Sequence, residues 1–62
     1  MTTNNKRHLE IIRKGDEYNC TVLQPAFGID VIMDTYVADT ISEALVIAFI
    51  YHGIDGNFRL KS

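Results

Sequence analysis

Apolar and polar residues alternate with a period of two along the first part of the chain. Residues 8–13 read HLEIIR, in which Leu9 and Ile11 are separated by a polar side chain, and the turn residues KGDE follow. The alternation resumes in residues 17–24 and ends at Pro25, which has no amide to donate to a sheet. This pattern predicts two antiparallel strands joined by a tight turn.

A third strand is predicted within residues 29–37, IDVIMDTYV, which are rich in β-branched and aromatic residues. Strict alternation places Ile29, Val31, Met33 and Val37 on one face and Asp30, Ile32, Asp34 and Tyr36 on the other. We assign the second face to the outside of the sheet, together with Ile12 and Leu23 of the first two strands. The three strands then form an antiparallel meander.

Thr40 marks the change from the strand period to the helical period. Thr40 and Glu43 have the spacing of a capping box, in which the threonine hydroxyl accepts from the Glu43 amide and the glutamate reaches back. Gly53 suits the left-handed position that ends a helix, and Ile54 suits the apolar contact beside it. The stripe expected to cover the sheet consists of Ile41, Ala44, Leu45, Ala48 and His52.

The predicted helix is apolar around most of its circumference. Outside the stripe it still carries Val46, Ile47, Phe49, Ile50 and Tyr51, and such a helix is normally buried on more than one side. The tail sequence NFRL, residues 57–60, is a possible short fourth strand that either closes the sheet edge or pairs with a second copy. We predict an oligomer interface formed by Val46, Phe49, Ile50 and Phe58.

The chain length favours association. Sixty-two residues make one domain with a small core, and Cys20 has no second cysteine with which to form an internal disulfide. One cysteine and two histidines are a poor zinc set, so no metal or cofactor is expected. We predict one α+β domain over residues 8–62, a three-stranded antiparallel meander packed by one C-terminal helix, which forms a homo-oligomer and most simply a dimer.

Composition and charge narrow the functional classes. The chain is 47% hydrophobic and 23% charged, which is typical of a globular protein. A net charge of −2, with no basic run longer than KRH, argues against nucleic acid as the partner. The longest apolar run, residues 44–51, is too short to cross a membrane. Residues 1–7 lack the apolar core of a signal peptide, so we expect a disordered lead-in and a cytoplasmic protein.

Candidate catalytic residues do not form a recognisable set. Asp30 and Asp34 are about 13 Å apart along an extended strand, too far to share a metal ion. Cys20 could meet His8 or His52 as an activated thiol, but its position between Tyr18 and Val22 favours a packed core residue. We therefore expect a protein that is not an enzyme.

The order of elements resembles a known family. A strand, a tight turn, a strand, a longer strand and a helix headed by Asp39, Thr40, Glu43, Ala44 and Leu45 are similar to the β-β-β-α domain of HicB-like antitoxins, a partial ribonuclease-H-like fold. The family's Pro-Asp-Leu-Pro-Gly-like segment is replaced here by QPAFGID, and its separate DNA-binding segment has no counterpart. The resemblance implies a protein that binds another protein.

Two functions are predicted from these features. The first is an antitoxin-like or inhibitor-like protein that occludes a partner protein such as a basic ribonuclease toxin, with partner-binding residues Asp30, Asp34, Tyr36 and Asp39. The second is a phage-type counter-defence protein that sequesters a small nucleotide in a pocket between protomers. The candidate pocket residues are Arg7, Arg13, Tyr18, Tyr51 and Arg59, with Phe27, Tyr36 and Phe58 as further aromatic candidates, because arginine and aromatic rings suit a phosphorylated base.

Overall fold

The computed structural model describes residues 7–61, which form a four-stranded mixed sheet with one helix packed on it. The elements are β1 (His8–Lys14), β2 (Glu17–Ala26), β3 (Ile29–Ala38), α1 (Ile41–His52) and β4 (Phe58–Lys61). The strand order is β3-β2-β1-β4, in which β1, β2 and β3 form the antiparallel meander. The predicted α+β architecture is confirmed.

The tail strand β4 lies at the edge of its own sheet. The sequence pattern allowed either this position or pairing with a second copy. It pairs parallel to β1, with Phe58 opposite Leu9 and Leu60 opposite Ile11. The pairing is parallel because α1 carries the chain back across the sheet before β4 begins, as in other crossover connections. The Asn57 carbonyl accepts from the Leu9 amide at 3.0 Å and so begins this pairing.

Both ends of α1 are those that the sequence predicts. The Thr40 hydroxyl accepts from the Glu43 amide at 3.0 Å, and the Glu43 carboxylate accepts from the Asp39 amide at 2.8 Å. Gly53 is left-handed with φ 69°, and its amide donates to the Phe49 carbonyl at 3.1 Å. In the part of the chain that the structure describes, no helix is long and apolar enough to cross a membrane.

The core lies between α1 and the centre of the sheet. Its members are Leu9, Ile11, Cys20, Val22, Ala38, Ala44, Ala48 and Ile54. The helix contributes two alanines, Ala44 and Ala48, which are fully buried. Because alanine side chains are short, α1 approaches the sheet closely, and the stripe predicted for this purpose is the one that faces it. Tyr18, Tyr36, Ile41 and Leu45 pack around this cluster.

A β-bulge in β3 changes which residues share a face, so the face assignment made from strict alternation is wrong for Asp34, Tyr36 and Val37, the last of which lies on the outer face. Val22 pairs with Asp34 but Leu23 pairs with Ile32, so Met33 is an extra residue without a partner on β2. Asp34 and Tyr36 therefore face the helix rather than the outside, while Ile32 remains on the outside.

Arg7, the last residue of the predicted lead-in, is tied to the sheet. Its Nε donates to the Gln24 side chain at 2.8 Å, and its carbonyl accepts from the Asn57 side chain at 2.9 Å. The prediction of disorder for residues 1–6 lies outside the described residues.

Candidate binding surfaces

The described chain exposes more large hydrophobic side chains than it buries. Nine hydrophobic residues form the buried set, three of them alanines, whereas twelve large hydrophobic residues are exposed. The exposed residues are Phe27 in the β2–β3 turn, Ile29, Val31, Ile32, Met33 and Val37 on β3, Val46, Phe49, Ile50 and Tyr51 on α1, and Phe58 and Leu60 on β4. Val46, Phe49 and Ile50 of this set adjoin one another around a single groove, and adjoining exposed apolar side chains mark candidate binding sites in soluble proteins.

The exposed helix face, which we define as Val46, Phe49 and Ile50, lies on the side of α1 away from the sheet. These are three of the four residues predicted to form an oligomer interface. Beside them is an apolar groove of about 490 Å³, which continues over Leu45 to the loop after the helix. The groove lining consists of Leu45, Val46, Phe49, Ile50, Ile54, Asp55 and Gly56.

The fourth predicted interface residue, Phe58, lies on the side of the sheet that carries the helix, which we call the helix layer. Phe58 and Leu60 pair with Leu9 and Ile11, whose side chains are buried beneath the helix, so both face the helix side of the sheet. The helix packs on β1, β2 and β3. Phe58 remains 39% exposed and Leu60 52% exposed because α1 does not extend over β4.

The outer sheet face, defined by Ile12, Leu23, Ile32 and Val37, is the second apolar surface, on which Ile32 and Val37 are more than half exposed, Ile12 is half-buried and Leu23 is buried. The register aligns Ile12 with Asn19 and Val37 across three strands, and Leu23 with Ile32. Charged groups border it, with Glu10 3.2 Å from the Lys61 amine.

Phe27 combines an unusual backbone conformation with an exposed aromatic side chain. It lies at the tip of the β2–β3 hairpin with φ 54°, followed by Gly28 with φ 82°, and its side chain is fully exposed. Positive φ at both central residues is the pattern of a type I′ turn, in which Asn-Gly is favoured and a bulky first residue is strained. Strain at an exposed aromatic residue, with no contact within the chain to compensate for it, suggests a contact outside the chain.

Of the four predicted partner-binding residues, Asp34 and Tyr36 are neighbours on the helix side of β3, whereas Asp30 lies on the opposite side of the sheet. Asp34 lies on the helix side, where its Oδ2 is 3.0 Å from Nε2 of His52. The Tyr36 hydroxyl donates to the Ala44 carbonyl at 2.6 Å, and Asp39 is at the helix start. Asp30 is on the outer side, 3.9 Å from the ring of His8.

Tyr36 and Cys20 are perturbed by their position under the helix. Burial raises the pKa of Tyr36 to about 12, with further increases from Cys20 and Asp34. Burial also raises the pKa of the Cys20 thiol. A thiol held protonated is a weak nucleophile, which agrees with Cys20 as a packing residue.

The raised pKa of Tyr36 predicts a loss of stability in alkali. The phenol has a pKa of 10 when unfolded and about 12 when folded, so its contribution is complete below about pH 10 and is lost as the pH rises to about 12. We expect Tyr36→Phe to have a free energy of unfolding about 1 kcal/mol lower at neutral pH, because it lacks the hydrogen bond to Ala44. Between about pH 10 and 12 its stability should fall less steeply than that of the wild type, because the variant has no phenol to ionise at this position. Urea unfolding at several pH values measures both effects. Tyr51→Phe, at an exposed tyrosine, should behave as the wild type; an unchanged slope in Tyr36→Phe would contradict the assignment.

The predicted nucleotide-pocket residues are also dispersed. Arg13 and Tyr18 line one open pocket of about 280 Å³ together with Ile41, Leu60 and Lys61. Arg7 contacts Gln24, Arg59 lies 4.0 Å from Glu10, and Tyr51 is exposed on the helix. The chain alone therefore offers one arginine–aromatic pair rather than the full set.

The histidines and the cysteine are separated as well. His8 approaches Asp30, His52 approaches Asp34, and Cys20 is buried in the core. Among residues 7–61, no group of three or more histidine, cysteine, aspartate or glutamate side chains is placed to hold a metal ion.

Residues 7–61 form a small α+β fold in which two apolar surfaces, the exposed helix face and the outer sheet face, have no partner among the described residues. Comparison with protein-family models, with curated proteins and with solved structures gave no match. Of the surface residues, the sequence pattern identified the exposed helix face and Phe58. It did not identify the groove beside Ile54, because a groove depends on how a loop folds back, or the strain at Phe27, since its turn is not of the Asn-Gly type.

Proposed function

We propose that this chain is a non-enzymatic binding module that acts as a homo-oligomer, most simply a dimer, and occludes a partner protein. The observation that carries this proposal is the excess of exposed over buried large hydrophobic side chains. A monomer of this size would leave that surface in water, where monomeric proteins rarely expose contiguous apolar patches of more than a few hundred Å². The resemblance to HicB-like antitoxins favours a protein as the target.

The two surfaces lie on opposite layers, so they can serve different partners at the same time. The exposed helix face is uncharged, since the only ionisable residues between Glu43 and Asp55 are Tyr51 and His52, which lie outside it. Such a surface suits a lasting contact between identical chains, because obligate interfaces are more apolar than transient ones. The outer sheet face and Phe27 are then left for the partner protein.

The partner is expected to offer an apolar pocket for Phe27 with basic groups nearby. Aromatic residues dominate the binding energy of protein interfaces when they enter a pocket. Asp30, which is in the same hairpin and half-exposed, is the carboxylate best placed for a basic partner. Asp34 is less suited because His52 and the Thr35 amide already occupy its oxygens.

Substitution of Phe27 can change the affinity for a partner protein without lowering the stability of the fold. Phe27→Asn fits the type I′ turn better than phenylalanine, so we expect equal or higher stability, yet about 30-fold weaker binding if Phe27 is an anchor. The measurement is titration of an isolated basic protein that co-purifies with the wild-type chain. Phe27→Tyr, which keeps the ring, should retain binding. Failure of any protein to bind the wild type, or equal binding by Phe27→Asn, would contradict this role.

Sequestration of a nucleotide is the second candidate. It is favoured by the shared pocket of Arg13 and Tyr18, which brings a guanidinium near an aromatic ring. Thermal-shift measurements with cyclic and linear nucleotides test it, since a ligand that binds the folded state raises the melting temperature. No stabilisation by any of them would leave protein binding as the function.

A further inference from the structure

The helix layer is incomplete over one strand. The helix packs on β1, β2 and β3, and Phe58 and Leu60 continue the same sheet face beyond it, where they remain partly exposed. The groove beside the exposed helix face runs to Ile54, Asp55 and Gly56, in the loop that leads into β4. The same layer thus carries an apolar projection and an apolar recess side by side.

We infer that two copies associate through their helix layers, so that the exposed helix face of each copy covers Phe58 and Leu60 of the other. This inference rests on the proposed homo-oligomer and specifies its interface. In the resulting arrangement the two helices lie side by side between two sheets. Each helix then packs on its own sheet through Ala44 and Ala48 and on the partner's sheet through Val46 and Ile50.

Self-complementarity favours a second copy over a different partner. A two-fold symmetric interface uses one patch on both chains, so that patch must contain both a projection and the recess that receives it. Val46, Phe49 and Ile50 are more than half exposed and also line the groove, together with Leu45 and the loop after the helix, so one patch carries raised apolar side chains beside a recess. This arrangement explains why α1 is apolar around most of its circumference, since each side of it would meet a sheet or the other helix.

The area and charge of the surface agree with a stable dimer. Fully burying an aromatic side chain covers about 150–250 Å², so Phe49 and Phe58, which are partly exposed, each leave on the order of 100 Å² open. With the exposed parts of Val46, Ile50 and Leu60, the apolar area is on the order of 500 Å², more than half of the roughly 800 Å² per partner of a standard interface, whose rim is polar. The exposed helix face has no charged side chain to desolvate.

Charge introduction at matched isoleucines tests the interface. Ile50 is 65% exposed on the helix and Ile32 is 63% exposed on the outer sheet face, so Glu at either position leaves the core intact. We expect a wild-type dimer by light scattering, dimerisation at least about 100-fold weaker in Ile50→Glu, and unchanged dimerisation in Ile32→Glu. Circular dichroism checks that each variant is folded. If Ile50→Glu does not fold, Val46→Lys replaces it as the test of the same face.

Mixing two weakened chains tests the reciprocal contact. Leu60→Lys should also weaken the dimer, and an equimolar mixture of Ile50→Glu and Leu60→Lys should associate more tightly than either alone, because the introduced charges then face each other. This interface would be overturned if mixing gave no gain in affinity, or if folded Ile50→Glu still formed a dimer. The proposed homo-oligomer would stand in either case, provided that the wild type is a dimer. A monomeric wild type would overturn both.

Discussion

Ala48→Glu is expected to prevent folding at neutral pH. Ala48 is fully buried between α1 and the sheet, and the space around it is filled by apolar side chains with no cation in the core cluster. An unpaired buried carboxylate costs several kcal/mol, whereas a domain of this length has a folding stability of about 3–9 kcal/mol. The result would be seen as loss of the cooperative urea transition and of the far-ultraviolet helix signal.

Ser42→Glu is the matched control on the same helix. Ser42 is exposed in the first turn, where a negative charge interacts favourably with the positive end of the helix by about 0.3–1 kcal/mol. We expect this variant to be as stable as the wild type or slightly more so. A folded Ala48→Glu at neutral pH would mean that α1 does not pack on the sheet through Ala48.

Ile11→Ala is the second substitution with a large expected effect. Ile11 is fully buried on β1, where it is paired with Cys20 on one side and Leu60 on the other. Removing three carbon atoms from such a site costs about 2–5 kcal/mol, since apolar transfer energy is lost and a cavity remains. Because the core contains few large side chains, little repacking can fill that cavity, and we expect the upper part of this range.

Ile32→Ala provides the comparison on the opposite side of the sheet. Its side chain is mostly exposed in the single chain, so we expect a change within about 0.5 kcal/mol. Both variants are measured by urea unfolding at one protein concentration, because association raises the apparent stability of the folded state. Equal losses in the two variants would contradict the assignment of Ile11 to the core.

Strand-period and helix-period patterns predicted the type and order of the elements correctly for a local reason. The predicted end of the second strand at Pro25 is wrong, because β2 continues through Pro25 to Ala26 at the start of its hairpin with β3. Thr40 and Gly53 determine the helix ends through contacts with residues at most four positions away along the chain. Leu9, Ile11, Cys20 and Val22 are the apolar positions of two regularly alternating strands, and they are the buried ones. Where the determining interactions are close in sequence, the sequence is sufficient.

Candidate site residues were predicted less well because their positions depend on register. One extra residue in β3, Met33, turns Asp34 and Tyr36 toward the helix, and alternation cannot show an extra residue. Arg13 and Tyr18 share a pocket because β1 and β2 are paired, whereas Arg7 and Arg59 lie elsewhere for the same reason. Side chains far apart in sequence come together only through the pairing of strands.

The sequence by itself determined the α+β class, the ends of α1, the core positions of β1 and β2 and the surplus of apolar residues on the helix. Each follows from periodicity or from a contact within one turn. Only the tertiary structure decided that β4 runs parallel to β1, that Tyr36 lies beneath the helix and that Phe58 and Leu60 remain uncovered. These depend on strand register and on the width of sheet that one twelve-residue helix covers, which are properties of packed elements rather than of any one segment.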